Sequence, residues 1–202
     1  EQVPGVYHSK IGEGLVTAIS DGYIDGPYAA LQNISKEKAH TILSNEFKST
    51  PPRISVNCYI IRCSGKIAII DTGSGDTMGP TLGMLPKLLR ALDISVERVD
   101  SILLTHMHPD HSNGLSDSMG GRLFPNAEVV ISEKDVAFWH DDAEMARASE
   151  SQRVRYFEGA RFQIAPYMDR IKPAGGDVFP NVKAVDLSGH TPGHTGYLVQ
   201  SS

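Results

Sequence analysis

The chain has only two cysteines and one tryptophan, and no apolar run approaches the roughly 20 residues that a membrane helix needs. Two cysteines cannot build a disulfide framework. Cys58 and Cys63 lie in one extended segment with side chains on opposite faces, so buried free thiols are expected. Positive charge is also scarce: 19 Lys and Arg stand against 24 Asp and Glu, for a net charge of −5. That balance argues against a surface built for nucleic-acid phosphates or anionic lipid, so neither nucleic acid nor membrane is expected as a partner. Repeats, low-complexity tracts and a signal or transit peptide are all absent from the pattern. The first residue is Glu1 rather than Met. A processed or trimmed chain is therefore expected, with a periplasmic or secreted location favoured and a cytoplasmic one left open. What is present is a globular composition, 40% hydrophobic over 202 residues, which predicts one domain spanning 1–202.

The pattern predicts a strand over Leu15–Ser20, a turn over Asp21–Pro27, and a helix over Ser35–Phe47 with Ser35 as its N-cap. Two β-rich runs, Ile54–Arg62 and Lys66–Ile70, read as a hairpin leading into the loop Asp71-Thr72-Gly73-Ser74-Gly75. Thr81–Leu92 has amphipathic helical spacing, Val99–Leu104 and Ala127–Ile131 read as core strands, and Glu133–Trp139 as a helix. The polar stretch from His140 to Asp169 is expected as a mostly helical outer cover, with burial beginning at Phe157, Phe162 and Ile164. Val182–Leu187 and Gly196–Gln200 are the last predicted strands. Clusters of strands interrupted by helices predict a layered α/β fold with mixed sheets.

Of the 8 histidines, three fall within Thr105-His106-Met107-His108-Pro109-Asp110-His111, directly after a predicted strand. Period-two alternation turns His106 and His108 the same way. Pro109 is suited to open a helix, whose first turn would then present Asp110 and His111. Neutral imidazole with carboxylate suits zinc, and also iron, cobalt or manganese. Four candidate ligands so close together fit two adjacent ions better than one. A second cluster, Ser188-Gly189-His190-Thr191-Pro192-Gly193-His194-Thr195, holds His194 at the start of the last strand, where it can complete the first ion's set. For His190 the reading favours a bracing or hydrogen-bonding role behind the ligands.

His-x-His-x-Asp-His followed by Gly-His-Thr-Pro-Gly-His-Thr resembles the metallo-β-lactamase-fold hydrolases, and Ile69-Ile70-Asp71-Thr72-Gly73 belongs to the same pattern. Within that superfamily the chain is similar to the methyl parathion hydrolase-like branch. That similarity runs from Val16–Gly22 through Gly79–Gly83, Thr105–Asn113 and Phe124–Ala127 to the chain's end. The resemblance implies an αβ/βα sandwich with two divalent metal ions, most readily zinc, at the sheet edge. It implies His106, His108 and His194 on one ion and Asp110 and His111 on the other, with Asp71 supporting the loops. Asp110 is also the candidate catalytic residue, a ligand first and a proton donor to the leaving group second. An aromatic pocket mouth would fall at Trp139, Met78 and Tyr156, and a homodimer is implied.

The same resemblance calls for a bridging Asp and a final His after His194, and neither occurs in Thr195–Ser202. The sandwich thus reads as lacking its C-terminal part. A longer polypeptide, or a second polypeptide completing the fold, is favoured over a shortened, altered site. The function expected is metal-dependent hydrolysis of a small neutral ester, an organophosphate triester or a lactone, with two ions about 3.5–4 Å apart activating water. An acyl-homoserine lactonase stays close, a β-lactamase fits less well, and a nuclease conflicts with the charge balance. A reading from another class is a non-catalytic binding subunit with an incomplete site.

Overall fold

A computed structural model describes residues 5–28 and 31–201. The chain enters through β1 (Val6–Ile11) and β2 (Gly14–Asp25), then α1 (Lys36–Asn45), and β3 (Arg53–Cys63) and β4 (Lys66–Ile70). After α2 (Leu85–Ala91) come β5 (Ser101–Leu103), α3 (Pro109–Ser112), β6 (Glu128–Ile131) and α4 (Glu133–Trp139). The cover is α5 (Asp142–Arg147), α6 (Glu150–Gln152), a π-helical stretch Arg153–Glu158, α7 (Gly159–Ile164) and a 3-10 stretch Ala165–Arg170. The chain closes with β7 (Ile171–Pro173), β8 (Asp177–Phe179), β9 (Val182–Asp186) and β10 (Thr195–Val199).

Strands β1 to β7 form one sheet in chain order, antiparallel from β1 to β4 and parallel from β4 to β7. A second, antiparallel sheet has the order β10-β9-β8. Alternation along the strands divides the core. Cys58, Ile60, Ile69, Ile102 and Val129 pack with Leu85, Leu88 and Leu89 of α2 and with Trp139, Phe157 and Ile164 on the helical side. Ile61, Cys63, Ala68, Leu103 and Val130 point the other way, against Phe179 and Val182 of the small sheet. The architecture is the layered α/β sandwich expected, and the two cysteines are buried and free, one in each layer.

Most predicted elements occur within a few residues of their expected places, and α4 spans Glu133–Trp139 as predicted. Ser35 does cap α1, accepting from the Lys38 N–H at 3.2 Å. Two boundaries differ for one reason. Asp21–Asp25 continues β2 through a bulge at Ser20/Gly22 and is not a turn. The segment before α2 lies along that continuation: Thr81 accepts from the Tyr23 N–H and donates its hydroxyl to Tyr23 O. Residues 81–84 are thereby held out of the helix, which starts at Leu85 and not at Thr81. Phe162, expected as buried, is 45% exposed. β1, β7 and β8 were not predicted; β1 is a polar edge strand and the other two span three residues each. Among the described residues no helix is long and apolar enough to cross a membrane.

Candidate metal centre

The parallel strand β5 delivers its chain to the sheet edge, where Thr105 begins the histidine loop. The first anchor is Asp71, just past β4 and only 4% exposed. Its Oδ1 accepts from the Thr105 N–H at 2.8 Å; its Oδ2 accepts from the Thr105 hydroxyl at 2.8 Å and from His111 Nδ1 at 2.7 Å. The Thr105 hydroxyl, having given its proton to Asp71, accepts from His106 Nδ1 at 2.9 Å. This relay places protons on the Nδ1 atoms of His106 and His111 and turns each Nε2 toward the cluster, the arrangement by which second partners orient metal-binding imidazoles. Pro109 opens α3 as expected, and its first turn carries Asp110 and His111. Asp110 Oδ2 lies 3.4 Å from His111 Nε2.

The second loop comes from the small sheet. The Thr195 N–H donates to Thr105 O at 2.9 Å, and the Tyr197 hydroxyl donates to Leu104 O at 2.7 Å, so the start of β10 is tied to the histidine loop. Gly193 is required at its place: a Cβ there would sit 2.4 Å from the Asp135 backbone nitrogen and 2.8 Å from Ser132 Oγ. The turn brings His190 Nε2 to 3.0 Å from His108 Nδ1, which is itself 3.0 Å from His106 Nε2. Ligand atoms of His106, His108 and His190 all lie within 4.8 Å of one another. His194 stacks on His106 with ring centroids 4.8 Å apart. His190 therefore stands in the cluster itself, in hydrogen-bond contact with His108.

The electrostatics favour a cation. Burial, followed by the charges of the neighbouring imidazoles, lowers His106 to about 2. His108 is lowered to about 4 by burial and His190, against the pull of Asp110. Both rings are neutral at pH 7, so each keeps one ring nitrogen with a lone pair that a cation can take. Burial opposes the charge on His111, but its bonds to Asp110 and Asp71 prevail and raise it to about 10. Burial likewise pushes Asp110 up, and His111 more than offsets it, bringing the carboxyl to about 2. An ionised Asp110 is an acceptor, suited to a cation rather than to giving up a proton. Converging neutral imidazoles with an adjacent carboxylate are a donor set that fits zinc or a similar divalent ion.

Beside the cluster lies a cavity of about 420 Å³, walled by Trp139, Tyr156, Phe157 and Pro192, with Glu144 and Arg147 on its rim. Trp139 is both core and wall: 3% exposed, packed on Phe157, and edge-on to His108 at 5.4 Å. Tyr156 stands 5.4 Å from His108 by ring centroid. Met78 is not in this lining. It follows Thr77, whose hydroxyl accepts from Asn113 Nδ2, just past the end of α3, at 2.8 Å. Two buried carboxylates went unnoticed in the sequence. Asp21 accepts from the Ser74, Gly83 and Leu85 N–H groups. Asp135 accepts from the Met107 N–H and the Trp139 indole. Asp21 falls within the Val16–Gly22 segment of the resemblance and Asp135 within the predicted helix Glu133–Trp139, but only their tertiary surroundings reveal what each holds.

A sandwich of two sheets with helices outside and a histidine cluster at the strand ends defines a class of metal-binding α/β proteins. Residues 51–201 match the Metallo-beta-lactamase superfamily, and the chain belongs to it. A crystal structure described as hydrolase AbOPH in the beta lactamase superfamily is 32% identical, with a TM-score of 0.86 over 98% of this chain and 70% of that one. AidC, described as a dizinc quorum-quenching lactonase, shares the fold at a TM-score of 0.86 and 24% identity, over 98% of this chain and 71% of its own. Lactamase-like protein ptaB of Pestalotiopsis fici is 25% identical over 199 residues, 96% of this chain and 52% of the relative. The chain thus spans about half the length of that relative.

Proposed function

We propose that this chain carries the metal-binding part of a hydrolase acting on small neutral esters, organophosphate triesters or lactones, as in the methyl parathion hydrolase-like branch. The observation that carries the reading is the convergence of the His106, His108 and His190 nitrogens beside Asp110 and His111, at the mouth of an aromatic cavity. A relative 32% identical and described as a hydrolase supports it. His106, His108 and one or both of His190 and His194 would hold one divalent ion, and Asp110 with His111 a second. When bound, such ions supply Lewis-acid polarisation of the substrate's carbonyl or phosphoryl oxygen and make water acidic enough to act as nucleophile at neutral pH.

The chain's own groups do the positioning. Asp71 and Thr105 hold the protons of His111 and His106 at Nδ1. Trp139 and Tyr156 line the cavity that would take an acyl chain or aromatic leaving group. A periplasmic or secreted location and a homodimer complete the proposal. The test is a panel of a paraoxon-type triester, an acyl-homoserine lactone and a β-lactam, assayed with zinc-loaded protein. Turnover of the triester or lactone, lost on chelation and in His108→Ala, is the expected result. Turnover that survives exhaustive chelation overturns the reading.

A further inference from the structure

Asp135 lies in the first turn of α4, fully buried, and belongs to no ligand set. One of its oxygens already serves two elements of the centre. Oδ2 accepts from the N–H of Met107, the residue between His106 and His108, at 2.9 Å, and from Trp139 Nε1 at 3.1 Å. The other oxygen, Oδ1, is buried and has no hydrogen-bond partner. An unmatched carboxylate oxygen in the interior is costly, which makes it informative. The Gly193 backbone presses on this same residue, since a Cβ at 193 would lie 2.8 Å from Asp135 Cβ. The next residue is His194, whose Nδ1 is also buried and without a partner. An orphaned acceptor and an orphaned imidazole nitrogen thus stand on two residues linked through the packing of Gly193 on Asp135.

We infer that Asp135 is a positioning residue of the metal centre. Its Oδ2 fixes the backbone between His106 and His108 and the Trp139 wall, and its Oδ1 accepts the Nδ1 proton of His194 in the loaded site. His194 then presents Nε2 to the ion, the tautomer selected by a carboxylate partner. The inference rests on the metal reading above. The competing acceptor is Thr191 Oγ1, which is buried and unpartnered in the same turn.

Asp135→Asn keeps the shape and one oxygen for Met107 and Trp139, and sets an amide N–H₂ against the His194 proton. Zinc affinity, measured by competition with a chromogenic chelator, is expected to fall about 10–100-fold, while the metal-free protein keeps its circular dichroism spectrum. Thr191→Val is expected to leave zinc affinity unchanged. Unchanged affinity in Asp135→Asn, or a loss confined to Thr191→Val, overturns the inference. If Asp135→Asn does not fold, ¹⁵N-histidine NMR of the zinc-loaded, unaltered protein decides: a slowly exchanging proton on His194 Nδ1 with Nε2 on the metal supports it, and the opposite tautomer refutes it. Failure of the unaltered protein to take up zinc overturns the metal reading itself, whereas normal uptake with an indifferent Asp135→Asn overturns this inference alone.

Discussion

Replacing Asp71 by Asn tests the scaffold beneath the histidines. The residue adopts φ of +56°, a left-handed conformation that Asn tolerates, so the backbone is not the variable. Asn retains an oxygen for the Thr105 N–H but places an amide N–H₂ where Oδ2 accepts from Thr105 Oγ1 and His111 Nδ1. The Thr105 hydroxyl can rotate and accept, whereas His111 Nδ1–H cannot. The His111 bond is lost, about 1.5–3 kcal/mol, and the Thr105 hydroxyl exchanges a carboxylate acceptor for a neutral amide, so metal-free stability should drop by about 2–4 kcal/mol. At about 2–4 °C per kcal/mol for a chain of this size, the melting temperature should fall by about 4–16 °C. Scanning calorimetry of the metal-free protein at pH 7 measures this. The gap should narrow at alkaline pH, where the charge on His111 disappears from the unaltered protein. A melting temperature within about 2 °C of the unaltered protein would refute the reasoning.

Metal-free stability should be highest near neutrality. His106 and His108 are lowered to about 2 and about 4, so the unfolded chain binds protons there that the fold does not, and stability falls as pH drops below about 6.5, by up to about 1.4 kcal/mol per pH unit for each ring. His111 is raised to about 10, so the stability it contributes is complete below about 6.5 and is lost as pH rises toward that value. Thermal melts across pH 4–10, within the range these values define, check both limbs; a melting temperature that climbs steadily with pH would contradict them. Trp139→Ala should cost about 3–5 kcal/mol in denaturant unfolding, since the ring is core as well as wall; a loss under about 1 kcal/mol would show that it is only wall. Asp21→Ala strands the N–H groups of Ser74, Gly83 and Leu85, and at about 1–3 kcal/mol each should lower stability by at least about 3 kcal/mol, read by the same unfolding curves.

Long, strongly patterned pieces of this fold were legible in the chain. The hairpin of β3 and β4 announces itself by β-branched runs around Ser64-Gly65, and the body of α2 by the spacing of Leu85, Leu88, Leu89 and Leu92. β1 was not legible because Val6–Ile11 is a mostly exposed edge strand, with no apolar face to give a period. The start of α2 depended on Thr81 pairing with Tyr23, a contact across 58 residues that no local pattern encodes. The site divides in the same way. His106, His108, Asp110 and His111 stand in one motif and were found together. The approach of His190 to His108 spans 82 residues, and the bonds that give Asp21 and Asp135 their roles reach across the fold to Ser74, Leu85 and Met107, which no local pattern encodes.

The central claim, that this histidine cluster is a metal centre, is tested most directly by titrating the purified, metal-free protein with zinc against a chromogenic chelator, with His108→Ala alongside. The account predicts stoichiometric zinc uptake that His108→Ala abolishes or weakens strongly. Zinc held no more tightly than by His108→Ala would contradict it.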